Sequence, residues 1–299
     1  MSATVHPGTA RDRRLRGWVR TDAVRIGPRA ALAITLVSLA GLAMFLWPLW
    51  IPASPSVVQY TTDAPFLFLA VLPCLILVVL AEMSEGGMDS KALAMLGVLS
   101  AVNAALRPLG SGVGGLELLF FVLILAGRVF GPGFGFVLGC TSMFASGLLT
   151  AGVGPWLPFQ MLVLAWVGAA LGLIGRATRR MPPTAELAVV AVAAWASAFL
   201  YGVLINLWSW PLTPGEGELQ WHPGLGAGET LRRYWSFYVA TSSAWDAAGA
   251  FANAVAVIVL GRPVLATLRR FAARLDPVVE LDADDLDLAL DPAPTSTPA

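Results

Sequence analysis

Residues 130–149 read FGPGFGFVLGCTSMFASGLL, and no charged side chain interrupts them. An uncharged apolar run of this length is what a bilayer accepts as a helix, because about 20 residues cross the hydrocarbon core. The Gly-Pro-Gly at its start suits a tight turn from the run before it, RVFGPG at 128–133. Worked outward from this stretch, the same rule predicts eight spans, at about 30–51, 65–82, 91–107, 115–129, 133–150, 158–175, 186–208 and 235–260. The expected fold is an all-α integral membrane protein of about eight transmembrane helices.

Composition supports this. The 299 residues are 57% hydrophobic and 13% charged, with mean hydropathy +0.73, whereas soluble domains carry about 25% charge. Net charge is zero but unevenly laid out: seven arginines fall in 11–29 and seven acids between Asp276 and Asp291. The first block reads as a basic cytoplasmic anchor, and the second, ending in PAPTSTPA, as solvated disordered chain. Neither needs a nucleic-acid partner. The expected division is therefore a basic tail at 1–29, two spans at 30–86, a membrane core at 87–262 and an acidic, Pro-rich tail at 263–299.

Basic residues orient the spans. With both termini inside, 16 of the 19 Lys and Arg residues face the cytoplasm, leaving Arg107, Arg232 and Arg233 outside. GVGPWLPFQML, residues 152–162, then faces outward where the fifth span meets the sixth.

Several chemistries are excluded. Lys91 is the one lysine and is followed by alanine, so the Gly-Lys-Ser/Thr of a nucleotide-binding P-loop is missing. No His-Glu-x-x-His helix or Gly-x-Ser-x-Gly elbow occurs. With two histidines, His6 and His222, and two cysteines in apolar runs, Cys74 and Cys140, no metal site is expected and no cofactor is implied. The acidic DADDLD at 282–287 lies in the hydrophilic tail, away from any lipid pocket. The expectation is a protein that is not an enzyme.

Small residues and outer-end polar residues remain. Gly97, Ala101 and Ala105 recur every four residues along the third span, on one side of a helix. Gly135 and Gly139 in the fifth span, and Ala244, Ala248 and Ala252 in the eighth, form similar stripes. Such stripes serve internal packing or a partner's helices. Candidate ligand-contacting residues cluster at outer helix ends: Arg107, Glu117, Trp156, Phe159, Gln160, Asn206 and Tyr238, with Asp246 deeper. The aromatic members also fit an interfacial belt, Arg107 and Glu117 a pair across their loop, and Asp246 a helix–helix hydrogen bond. An unpaired charge near the bilayer centre costs about 2.5–3.5 kcal/mol on insertion scales, so the mid-span carboxylate Asp246 is a functional candidate by default, and an aromatic belt does not require Arg107, Glu117 or Gln160.

Taken together, FGPGFGFVLGCTSMFASGLL, the outward GPWLPFQM at 154–161 and the small-residue AWVGAALGLIG at 165–175 resemble the substrate-binding S components of energy-coupling factor (ECF) vitamin transporters. The six-helix core of that family would correspond to residues 91–261, preceded here by two extra spans. AVNAA at 101–105 resembles the family's Ala-x-x-x-Ala seam, with Gly97 one turn earlier. The resemblance implies capture of a vitamin or related micronutrient on the outer side of a bacterial plasma membrane, under a lid loop corresponding to RPLGSGVGG at 107–115. It implies docking of Gly97, Ala101 and Ala105 on a separate T component served by two ATPase subunits, which would account for the missing P-loop. In that setting Trp156 and Phe159 form an aromatic wall, Pro158 opens the sixth span, and Gln160 presents an amide to the ligand. The alternative is a self-contained proton-coupled transporter using Asp246 or Glu117; the inverted repeat typical of such carriers is not evident in the sequence.

Overall fold

The computed structural model describes residues 26–49, 90–110, 116–178, 181–213 and, except 218 and 223, 217–274, with isolated positions at 74, 77 and 81. Eight α-helices lie among them: α1 Pro28–Phe45, α2 Ser90–Gly110, α3 Phe121–Phe130, α4 Pro132–Leu149, α5 Leu157–Ala177, α6 Pro183–Ser209, α7 Ala227–Thr241 and α8 Ser243–Ala272. Short 3₁₀ turns, each with the sequence Trp-Pro-Leu, follow α1 and α6 at Trp47–Leu49 and Trp210–Leu212. No strand occurs among the described residues. Five of the helices (α1, α4, α5, α8, and α6 with its terminal turn) are long and apolar enough to cross a membrane. The chain is an all-α, multi-pass membrane protein. The expected span at 65–82, the loop residues 111–115 and most of both tails lie outside the described residues.

Proline opens α1, α4, α5 and α6 within their first two positions, where the missing N–H has no intrahelical acceptor to lose. Glycine sets how closely the central helices approach. A Cβ added at Gly135 would lie 2.2 Å from the Gly168 carbonyl oxygen, one at Gly139 would lie 2.4 Å from the Leu164 carbonyl carbon, and one at Gly127 would lie 2.4 Å from the Gly168 oxygen. The stripe in α4 is thus consumed by backbone contact with α5, and α3 shares that contact.

Two elements depart from the expected spans. Helix α3 covers ten residues, a rise of about 15 Å, or roughly half the hydrocarbon core. The segment Leu116–Phe120 ahead of it is non-helical, so its backbone groups need partners inside the protein. Asn253 of α8 supplies them: its Oδ1 accepts from the Phe120 N–H at 3.0 Å, and its Nδ2 donates to the Glu117 carbonyl at 2.6 Å. The predicted run 235–260 is two helices. Tyr234, Tyr238 and the charged Glu229, Arg232 and Arg233 make α7 amphipathic; it ends at Ser242, where the Ser242 hydroxyl donates to Asn206 Oδ1 at 2.9 Å. Helix α8 then continues unbroken past Gly261 to Ala272.

At the end of the bundle holding the start of α6 and the finish of α3, α5 and α8, Glu186 is the hub of a buried ion cluster. Its Oε1 lies 2.9 Å from Arg128 Nη2 and also accepts from Arg269. Arg128 further donates to the carbonyls of Gly175, at 2.6 Å, and Thr178, at 3.2 Å. Buried charge is tolerated only when paired and hydrogen-bonded in this way. Lys91 Nζ donates to the Arg274 carbonyl at 3.3 Å, joining the start of α2 to the end of α8.

Candidate functional site

The opposite end of the bundle gathers the finish of α2, α4 and α6 and the start of α3, α5 and α8. Tyr201 of α6 lies among the expected polar residues there. Gln160 lies beside its hydroxyl, and Arg107, Glu117 and Asp246 lie within electrostatic reach of it. Arg107 and Glu117 are also close enough to interact with each other. Four expected residues on four separate segments thus lie around a tyrosine that sequence reasoning passed over. The signal was legible as a hydroxyl deep in an apolar run, ASAFLYGVL at 196–204.

Asp246 is held by neighbours. Tyr238 donates to its Oδ2 at 2.7 Å. On its other side the carboxylate rests on Gly202, where an added Cβ would lie 1.7 Å from Oδ2. No side chain fits between them, which explains the glycine beside Tyr201. Asn206, one turn on, donates to the Gly202 carbonyl at 2.8 Å and accepts from Ser242. Asn206, Tyr238 and Asp246 therefore form one network joining α6, α7 and α8.

Gln160 is buried, and its Oε1 has no hydrogen-bond partner among the described residues. An orphaned acceptor of this kind costs about 1–3 kcal/mol unless something donates to it.

The aromatic residues fall out differently. Phe159 is buried and stacks on Trp208, with ring centroids 4.4 Å apart and planes 13° from parallel. Phe45 meets its edge at 5.0 Å. Trp156 instead is 45% exposed and donates back to the Gly152 carbonyl in its own loop at 3.0 Å. Beside Phe159, the structure places Trp208 and Phe45 rather than Trp156. Phe120 lies edge-on to Tyr201 at 5.7 Å, linking the non-helical segment to the polar cluster.

On α2, Gly97, Ala101 and Ala105 are exposed, with no atom within 4 Å of a Cβ built at Gly97. Leu93, Val98 and Val102 flank them, also exposed. The other side of α2 is fastened to α4 by Ser100 with Thr141 at 2.7 Å and by Asn103 Nδ2 donating to Ser142 Oγ at 3.0 Å.

A family model described as "ECF transporter, substrate-specific component" matches residues 91–261, more than half of the chain. The chain belongs to this family. Searches of curated proteins and of solved structures find no match. The matched residues of this ECF substrate-specific component run from α2 through most of α8 and contain the whole Tyr201 cluster. Helix α1 precedes them. The S component is a membrane-embedded transport subunit, and no group of three or more metal-binding side chains occurs among its described residues.

Proposed function

We propose that this S component captures a vitamin or related micronutrient at the Tyr201 end of the bundle, on the outer side of a bacterial plasma membrane, with both termini in the cytoplasm. The observation that carries the reading is the buried Gln160 Oε1, which has no partner among the described residues, beside Tyr201 with Arg107, Glu117 and Asp246 in electrostatic reach of that tyrosine. Small-molecule sites place a few polar groups in mostly apolar surroundings, and the Phe159–Trp208 stack and Phe120 supply those surroundings. Orientation follows from basic residues: Arg128 and Arg269 lie at the end opposite Tyr201, and the side rich in Lys and Arg is the cytoplasmic one.

Release to the cytoplasm requires energy from elsewhere, since the sequence has no P-loop. We assign docking on a T component, served by two ATPase subunits, to the exposed small-residue side of α2. Gly97, Ala101 and Ala105 leave room for a partner helix to approach closely. Residues 87–262 form the substrate-binding core in this reading, flanked by a basic tail, two spans and an acidic tail.

The test is native co-purification of the tagged chain in mild detergent, with bound small molecules and proteins identified by mass spectrometry. A vitamin-like compound, a T component and two ATPases are expected. Gln160→Leu should lose the compound and keep the proteins, and Gly97→Leu the reverse. A chain that binds neither compound nor ATPases, and takes up solute only with a proton gradient and an intact Asp246, would overturn the proposal.

A further inference from the structure

Helix α1 lies ahead of the family-matched residues 91–261, yet it is built into the site end of the bundle. Gly41 rests directly on α5: a Cβ there would lie 2.1 Å from Leu162 Cδ2. Ser38 Oγ accepts from Trp166 Nε1 at 2.8 Å. Phe45 is fully buried between the edge of Phe159 and the ring of Trp166, 5.0 and 5.7 Å away. Beyond the helix, Trp47 Nε1 donates to the Trp208 carbonyl at 3.1 Å. Trp221, between α6 and α7, closes over this turn by donating from Nε1 to the Pro48 carbonyl at 3.1 Å, with its ring 5.5 Å from that of Trp47.

These contacts differ from those of a helix that merely lies in lipid beside the core. A lipid-facing helix needs neither a glycine pressed on a neighbour nor indole hydrogen bonds to another helix's backbone. The lipid side of α1 is elsewhere, at Leu32, Leu36 and Leu39, which are 57–61% exposed. Trp208 belongs to the last turn of α6, and the Trp47 indole, by donating to its carbonyl, ties that turn to the chain just after α1. The same turn carries the ring that stacks on Phe159.

We infer that α1 is a resident wall of the substrate site, and that Trp47 is the positioning residue that holds Trp208 against Phe159. The inference rests on the reading that this end of the bundle binds a small molecule. Its consequence is that the family core is incomplete here without the helix ahead of it.

The test uses the full-length chain in detergent. Trp47→Phe keeps a ring and removes the N–H. Ser38→Ala removes the bond to Trp166 and leaves Trp208 untouched. Gly41→Leu wedges α1 away from Leu162. Binding of a panel of water-soluble vitamins, riboflavin and cyanocobalamin among them, is measured by equilibrium dialysis alongside thermal unfolding. Separately, Phe159→Cys, in a chain with Cys74 and Cys140 replaced by serine, is labelled with a charged thiol reagent. Trp47→Phe should weaken the panel member that the wild-type chain binds by about tenfold or more, at an unchanged unfolding midpoint, and Ser38→Ala should not. Gly41→Leu should accelerate labelling at position 159 by about tenfold. Equal affinity for Trp47→Phe and wild type overturns the positioning role, and unchanged labelling in Gly41→Leu overturns the wall. If the wild-type chain binds no panel member, the vitamin reading fails, while labelling still decides whether α1 covers Phe159.

Discussion

Gly168→Ala and Gly97→Ala are the same chemical change on two helices of this bundle, and their effects on stability should have opposite signs. At Gly168 the new methyl would sit 2.1 Å from the Gly135 carbonyl oxygen, 2.6 Å from its carbon and 2.9 Å from Leu123 Cδ1. Ordinary contact begins near 3.4 Å, and the first two atoms are backbone, so α4 and α5 must part by roughly an ångström. A gap of that size forfeits about a quarter to a half of the dispersion energy across the contact. Overpacking of this kind costs about 1–3 kcal/mol, offset by up to about 1 kcal/mol from the better helix propensity of alanine. A net loss of about 1–2 kcal/mol follows. At Gly97 the methyl meets nothing within 4 Å, so only the propensity gain remains, up to about 1 kcal/mol. Thermal unfolding followed by tryptophan fluorescence in one detergent should place Gly97→Ala at or above wild type and Gly168→Ala below it. A Gly97→Ala chain destabilised as much as Gly168→Ala would refute the assignment of α2 as the open side and α4–α5 as the closed one.

Three further outcomes follow from polar groups elsewhere in the bundle. Glu186→Gln leaves Arg128, whose side chain is 7% exposed, without its carboxylate; chemical denaturation should show a loss near the low end of about 3–5 kcal/mol, because Arg269 is half exposed. The double change Glu186→Met with Arg128→Met should recover most of that loss, and failure to recover it would argue against a buried pair. Asn253→Leu orphans the Phe120 N–H and the Glu117 carbonyl, at about 1–3 kcal/mol per group, and hydrogen exchange should quicken at Phe120 before it quickens in α4. Glu229 lies on α7, outside the candidate spans, where hydrogen bonds from Arg232 and then Arg233 hold its carboxyl down at about 2. The lowered value means its contribution is fully present above about pH 4.3, the unfolded carboxyl range, and is lost as pH falls toward 2. Hydrogen exchange in α7, corrected for intrinsic rates, should therefore be flat between pH 5 and 8 and rise only in acid; a rise near neutrality would contradict the assignment.

Much of the architecture was legible because a bilayer leaves the backbone few options. An uncharged run the length of 130–149 must satisfy its own hydrogen bonds and becomes a helix. The family, too, was readable in its glycine-rich runs and small-residue seam. Single-residue roles at the site were less so. Gly135 and Gly97 look equivalent along the chain, and only the neighbouring helices distinguish the backbone contact of one from the exposure of the other. Trp156 and Trp208 both sit at helix ends, yet one bonds back to its own loop and the other stacks on Phe159. Hydropathy could not foresee that α3 would shorten to ten residues, because Leu116–Phe120 is apolar apart from Glu117 and the deciding partner, Asn253, is 133 positions from Phe120.

The sequence by itself determined that the chain is helical and crosses the membrane several times, since these follow from composition and local pattern. Tertiary structure alone decided that Arg107, Glu117, Gln160 and Asp246 lie around Tyr201, that Glu186 joins Arg128 to Arg269, and that α1 packs on the core. Each of these depends on which helix ends become neighbours, and that is set by side-chain packing between segments far apart in the chain.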